Sequence, residues 1–183
     1  FDGAKASPYL ETDNTGPLNI YGQSKLLSEH AVAQQCDRHL IIRTSWLFSQ
    51  FGHNFYRTML KLAHSGAVVK VVDDQFGCPS YAGDIAAVML QLLQRYKNTQ
   101  QLPYGLYHLA GSPAVSWYQF AAAIFAISKT EVKVNPIPGS AYPTKAKRPS
   151  FSVMDKSKIK STFKITIPYW RDSLVECIGR LKD

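Results

Sequence analysis

A glycine-rich phosphate turn is missing. Neither G-x-x-G-x-x-G nor G-x-G-x-x-G occurs in the 183 residues, and no P-loop does. Such turns let backbone N–H groups close on a pyrophosphate, so these residues contain no dinucleotide cradle of that kind. Cysteine is scarce: Cys36, Cys78 and Cys177 are odd in number and far apart. They suggest neither a disulfide framework nor a Cys-pair metal site, and they fit a reducing, cytoplasmic compartment. His30, His39, His53, His64 and His108 show no H-x-x-x-H or H-x-x-E-H spacing, so no zinc site is expected. No apolar run approaches the ~20 residues that span a bilayer, and no signal peptide is visible. No membrane association is expected.

What is present is a globular composition, 45% apolar and 19% charged, with a formal net charge of +8. The basic residues are scattered except for Lys145, Lys147 and Arg148 and the lysines between 156 and 164. No RNA- or DNA-binding signature accompanies them, so nucleic acid is not the expected partner. An anionic small molecule such as a nucleotide diphosphate suits a basic loop equally well.

Turn chemistry fills residues 1–20, with Asp2, Gly3, Pro8, Asp13, Asn14, Gly16 and Pro17. A helix over about 19–36 follows. His39 to Trp46 reads as a buried parallel strand whose polar end, Arg43 to Trp46, faces a crevice. Ligands of open α/β sheets bind outside such carboxyl ends. Next come a helix over 55–64 stopped by Gly66, a strand over 67–72, and a polar loop over 73–80. The helix predicted over 83–95 places Ile85, Val88, Met89 and Leu92 on one side. A linker spans 98–103, a strand 105–109 and a turn 111–113. Ser116 and Gln119 form a capping-box pattern that opens a helix reaching Ile127. The chain is extended over 132–138, a Pro- and Lys-rich loop over 141–151, and a short helix over 155–162. Pro168 opens the last helix, with Trp170, Leu174, Ile178 and Leu181 on one face. Strands alternating with helices are the mark of βαβ units, hence an α/β fold.

Tyr21 and Lys25 stand one helical turn apart within Pro17-Leu18-Asn19-Ile20-Tyr21-Gly22-Gln23-Ser24-Lys25. On a helix they share a face. An ammonium beside a phenol favours the phenolate, and such a pair can deliver or remove a proton at a carbonyl or alcohol. Taken alone, the spacing more often marks a half-buried Tyr and a solvated Lys on an ordinary helix.

The surrounding order decides between these readings. Asp2-Gly3, Glu11-Thr12-Asp13, Pro17 to Lys25, Arg43-Thr44-Ser45-Trp46, Asn54-Phe55, Asp74-Gln75-Phe76-Gly77-x-Pro79, Gly105 to Leu109 and Ala141-Tyr142-Pro143-Thr144-x-Ala146-x-Arg148-Pro149 follow one another along the chain. This series resembles the dTDP-4-dehydrorhamnose reductases, a family of extended short-chain dehydrogenase/reductases, over nearly the whole length. The resemblance implies the C-terminal portion of a Rossmann-like parallel sheet plus a smaller mixed α/β substrate-binding domain. Residues 1–52 would belong to the Rossmann part, and 53–183 to a substrate domain interleaved with the last Rossmann strand and helix. Because the chain opens on Phe1 inside a turn, the phosphate cradle and a third catalytic hydroxyl are expected upstream of it.

The implied activity is reduction of the 4-keto group of dTDP-4-dehydro-L-rhamnose to dTDP-L-rhamnose by NADPH or NADH, in cell-surface polysaccharide synthesis. Tyr21 would give the proton to the C4 oxygen. Lys25 would hold the nicotinamide ribose and assist Tyr21, so both also contact the cofactor. Trp46 would pack on the sugar, with core packing as its alternative. Asn54, Gln75 and Arg148 would be substrate contacts, with a helix cap, a turn and a surface cation as their alternatives. Gly83 precedes Asp84 where a second carboxylate would be needed, so no metal site is carried over. A related sugar-nucleotide epimerase or dehydratase, or a non-catalytic regulatory subunit of the same fold, are the competing readings. Residues 1–183 alone are expected to bind dinucleotide poorly and to be inactive. Unpaired strand edges lead us to expect association with an upstream segment or with a second copy as a homodimer.

Overall fold

The computed structural model describes residues 1–63, 68–144 and 146–180. In chain order its elements are α1 (Ile20–Gln35), β1 (Leu40–Arg43), β2 (Leu47–Phe48), α2 (Phe55–Ala63), β3 (Val69–Val72), β4 (Phe76–Gly77), β5 (Ser80–Tyr81), α3 (Ala82–Thr99), β6 (Gly105–His108), β7 (Val115–Ser116), α4 (Trp117–Ser128), β8 (Val134–Ile137), a 3-10 turn (Gly139–Ala141), α5 (Ser157–Phe163) and α6 (Trp170–Gly179). The predicted stop at Gly66, the strand start at Ala67, the helix end at His64, Lys145 of the basic loop and Leu181 of the last helix lie outside the described residues.

Strand pairing is mainly parallel. β1 pairs with β6 in register Leu40↔Gly105 to Arg43↔His108, β2 with β5 and β3 with β8. β4 and β7 run antiparallel, with Gly77 opposite Val115. The β-branched run of β3 is buried at Val69, Val71 and Val72 and suits a covered strand. By contrast β1, expected from its apolar run to be buried over 39–46, spans only Leu40–Arg43 and is half-buried along its length. Three apolar clusters follow from this pairing. One joins α2, β3, α4 and α6 around Phe48, Tyr56, Phe120, Ile124 and Leu174. A second joins β1, α3, β6 and α5 around Val88, Leu92, Tyr107 and Ile159. A third, under Phe1 and Phe151, holds Cys78, Ala110, Val153 and Met154. Burying a Leu, Ile or Phe side chain contributes about 1.5–3 kcal/mol, so the fully buried Phe120 and Ile124 anchor the first cluster.

Several local expectations need correction. The stretch 73–80 is not a plain loop: Phe76-Gly77 and Ser80-Tyr81 are short strands, drawn into sheet by partners distant in sequence. α3 runs on to Thr99 and closes at Gln100 in a left-handed conformation, so the expected linker begins later. Within α3 Val88 and Leu92 are buried, whereas Met89 is 49% exposed. The buried stripe is therefore narrower than the periodicity implied. The expected capping box does form, with Ser116 accepting from the Gln119 N–H and the Gln119 side chain reaching back to Ser116 N–H.

Candidate active site

The site is built from α1 outward. Asn19 caps α1 by accepting from the Gly22 N–H at 2.8 Å, as Asn does at helix starts. Its Nδ2 donates to the Lys147 carbonyl at 3.0 Å. One residue therefore opens the Tyr-Lys helix and ties it to the basic loop. Gly3 and Pro149 are also in close apposition; a Cβ on Gly3 would lie 2.5 Å from Pro149 Cβ, and Gly3 has φ +78. Only glycine permits that approach and that backbone. Ser150 Oγ donates to the Gly3 carbonyl at 3.0 Å, and Phe76 N–H donates to the Ser150 carbonyl at 2.8 Å.

α1 buries none of its residues, so few contacts fix it. The main one is polar. Arg43, at the carboxyl end of β1, donates through Nε to Glu29 Oε1 at 2.8 Å and through Nη2 to Glu29 Oε2 at 2.6 Å. Such a bidentate pair has fixed geometry. Glu29 lies one turn beyond Lys25 on the same helical face, so the ion pair orients the face that carries Tyr21 and Lys25. The Lys25 ammonium sits 5.4 Å from the centre of the Tyr21 ring.

After β1 the chain turns through Thr44-Ser45-Trp46. Trp46 has φ +48, a left-handed backbone that is uncommon for a bulky residue. Two bonds fix the turn: Ser80 N–H donates to the Trp46 carbonyl at 3.1 Å, and Ser45 Oγ donates to the Cys78 carbonyl at 3.3 Å. The Trp46 indole lies against Gly77, where a Cβ would come within 2.3 Å of the ring. It also stacks on Trp117, with ring centroids 3.4 Å apart and an interplanar angle of 6°.

These elements enclose a cavity of about 880 Å³ lined by Tyr21, Lys25, Arg43, Trp46, Gln75, Trp117 and Arg148, among others. Tyr21 is 72% exposed and Arg148 is exposed, while Trp46 and Gln75 are half-buried. The cavity thus brings together Tyr21, Lys25, Trp46, Gln75 and Arg148 of the residues singled out in the sequence. Asn54 is not among its lining residues. Asn54 Oδ1 accepts from Arg57 N–H at 3.1 Å, and Nδ2 donates to the Ser49 and Phe51 carbonyls at 2.9 Å. Its side chain is committed to capping α2. Trp117 and Glu29 are not marked as site residues by the sequence, whereas Arg43 is placed at the crevice as the start of the polar strand end. Asn19 carries a local signal, an Asn directly before a helix.

Two donors at the cavity wall, Arg43 Nη1 and Thr44 Oγ1, are buried with no hydrogen-bond partner. A buried unpaired donor costs about 1–3 kcal/mol, which a bound polar ligand would offset. With the Tyr21 phenol and the Lys25 ammonium, this donor set suits the hydroxyl-rich ribose end of a nicotinamide cofactor. It does not extend to a glycine cradle for the pyrophosphate, which the sequence lacks. Asp84 accepts from Ser173 Oγ at 2.6 Å, and burial raises its carboxyl above the ordinary value.

Parallel α/β pairing with a Tyr-Lys helix beside the carboxyl end of β1 defines a Rossmann-like fold of the extended short-chain dehydrogenase/reductase type. The chain belongs to the RmlD substrate binding domain family, whose model matches residues 1–182. It is 42% identical over 178 residues to a dTDP-4-dehydrorhamnose reductase of Sinorhizobium fredii, covering 94% of this chain and 60% of that protein. It is 37% identical to the Escherichia coli K12 protein of the same name, covering 99% of this chain and 62% of that one. Among solved structures, a dTDP-4-dehydrorhamnose reductase from Clostridium acetobutylicum superposes with a TM-score of 0.92 at 34% identity, covering 100% of this chain and 63% of that one. The Bacillus anthracis enzyme in complex with NADP superposes at 0.90 with 31% identity, covering 98% of this chain and 62% of that one. The chain therefore spans about three fifths of the length of the relatives it matches. Among the described residues no helix is long and apolar enough to cross a membrane.

Proposed function

We propose that these residues supply the proton-donating and sugar-holding side of an NAD(P)H-dependent reductase acting on dTDP-4-dehydrorhamnose. One observation carries this reading: Tyr21 and Lys25 open onto the same cavity as Trp46, Gln75 and Arg148. When bound, the nicotinamide supplies a hydride to the sugar carbonyl. Tyr21 donates its phenolic proton to the oxygen that becomes the alcohol. Lys25, one turn along, stabilises the phenolate left behind and holds ribose hydroxyls. The Trp46 ring packs on the sugar, and Gln75 holds its nucleotide side. Arg148 neutralises a diphosphate, for which a guanidinium on an exposed loop is suited.

The series running from Arg43-Thr44-Ser45-Trp46 to Asp74-Gln75-Phe76-Gly77 favours a reductase over an epimerase or dehydratase. The test is a product assay on the native polypeptide that carries these residues, given dTDP-4-dehydrorhamnose and NADPH. Stoichiometric oxidation of NADPH with formation of dTDP-rhamnose is expected. Conversion of the sugar without net NADPH oxidation would favour the epimerase reading instead.

A further inference from the structure

We propose that Trp117 is a positioning residue of the cavity: it holds the Trp46 indole in place, and the stacked pair serves as one platform for the apolar face of a pyranose ring. This rests on the sugar-nucleotide reading above. Trp46 alone is poorly placed to hold its own orientation. A left-handed non-glycine backbone costs about 1–3 kcal/mol and persists only where its surroundings over-determine it. The two backbone bonds of the turn hold the main chain, not the ring. The ring is held by Trp117, 3.4 Å away and nearly parallel, and by the close approach that Gly77 allows.

Trp117, in contrast, is fixed from several directions. It is the first residue of α4, held within the capping box formed by Ser116 and Gln119. Ser116 Oγ donates to Asp73 Oδ1, and β7 is locked to β4 through Val115 and Gly77. Phe55 packs on its ring at 4.5 Å between centroids. The order of dependence therefore runs from the α2–α4 core to Trp117, and from Trp117 to Trp46. Both indoles line the cavity. Indole faces are electron-rich and amphipathic, and the C–H face of a pyranose carries the complementary partial charge.

The test uses the native polypeptide and its Trp117→Ala, Trp117→Phe and Trp170→Phe variants. Two closely stacked indoles produce an exciton couplet in far-ultraviolet circular dichroism. The couplet is expected in the parent and in Trp170→Phe, and absent in both Trp117 variants. Calorimetry with dTDP-glucose, which has no 4-keto group, reads the platform without turnover. Trp117→Ala is expected to weaken that binding about tenfold, with Trp117→Phe recovering most of it. In turnover the same loss is expected in KM for the sugar nucleotide, with kcat and the KM for NADPH unchanged. A couplet that survives Trp117→Phe overturns the stack. Equal dTDP-glucose binding by parent and Trp117→Ala, or no binding by the parent, overturns the platform. A parent that binds dTDP-glucose but reduces no sugar nucleotide refutes the reductase reading and leaves the platform to be decided by the calorimetry.

Discussion

At His108 a titratable ring is fully buried at the carboxyl end of β6, 0% exposed. Its Nδ1 lies 3.2 Å from the Asp155 carbonyl, Phe1 packs edge-on at 5.7 Å, and Nε2 has no partner. Burial lowers its pKa from the ordinary 6.5, with the Arg43 charge acting in the same direction and Glu11 opposing. The neutral ring is therefore favoured in the folded state. Once the pH falls below the ordinary histidine value, the unfolded chain binds a proton that the folded chain refuses, so stability drops with falling pH. Thermal unfolding is expected to shift to lower temperature as the pH falls below about 6.5. His108→Gln is expected to flatten that dependence. An unchanged slope in the variant would assign the effect to other groups.

At the scale of elements, α1 is the one to watch. Its predicted span, 19–36, differs from the observed Ile20–Gln35 only by its caps. Asn19 and the turn residues before it were readable because capping is a local effect. What orients the helix was not readable. Arg43 and Glu29 are 14 positions apart, and nothing in either residue type announces the other. The pair is largely shielded, with side-chain exposures of 15% and 20%. Removing one partner of a shielded pair leaves an uncompensated charge and costs about 3 kcal/mol. Glu29→Ala is thus expected to lower hydrogen-exchange protection across α1 while leaving α4 protected. Equal protection in α1 would show that the ion pair does not fix it. The same locality explains the misread 73–80 stretch. Gly77 reads as a turn residue, yet it is a strand position kept small by the Trp46 ring. Its partner Val115 lies across the fold.

At the scale of the whole molecule, the cavity forms where separate parts of the chain meet. α1 and the turn after β1 bring Tyr21, Lys25 and Trp46; the residue before β4 and the basic loop bring Gln75 and Arg148; the start of α4 brings Trp117. The α/β class and the parallel run of the strands were legible, because alternating strands and helices force crossover connections; that β1 pairs with β6, across the strands and helices between them, was not. Trp117 was not, since its place depends on β7 pairing with β4. Asn54 was singled out for its position at a helix start, and there its side chain caps α2 rather than meeting the cavity. The central proposal concerns Tyr21, and Tyr21→Phe in the native polypeptide tests it most directly. The variant keeps the ring and removes the proton. Turnover of dTDP-4-dehydrorhamnose is expected to fall by about a hundredfold or more, with NADPH affinity little changed. Turnover at the parent rate would contradict the assignment of Tyr21 as proton donor.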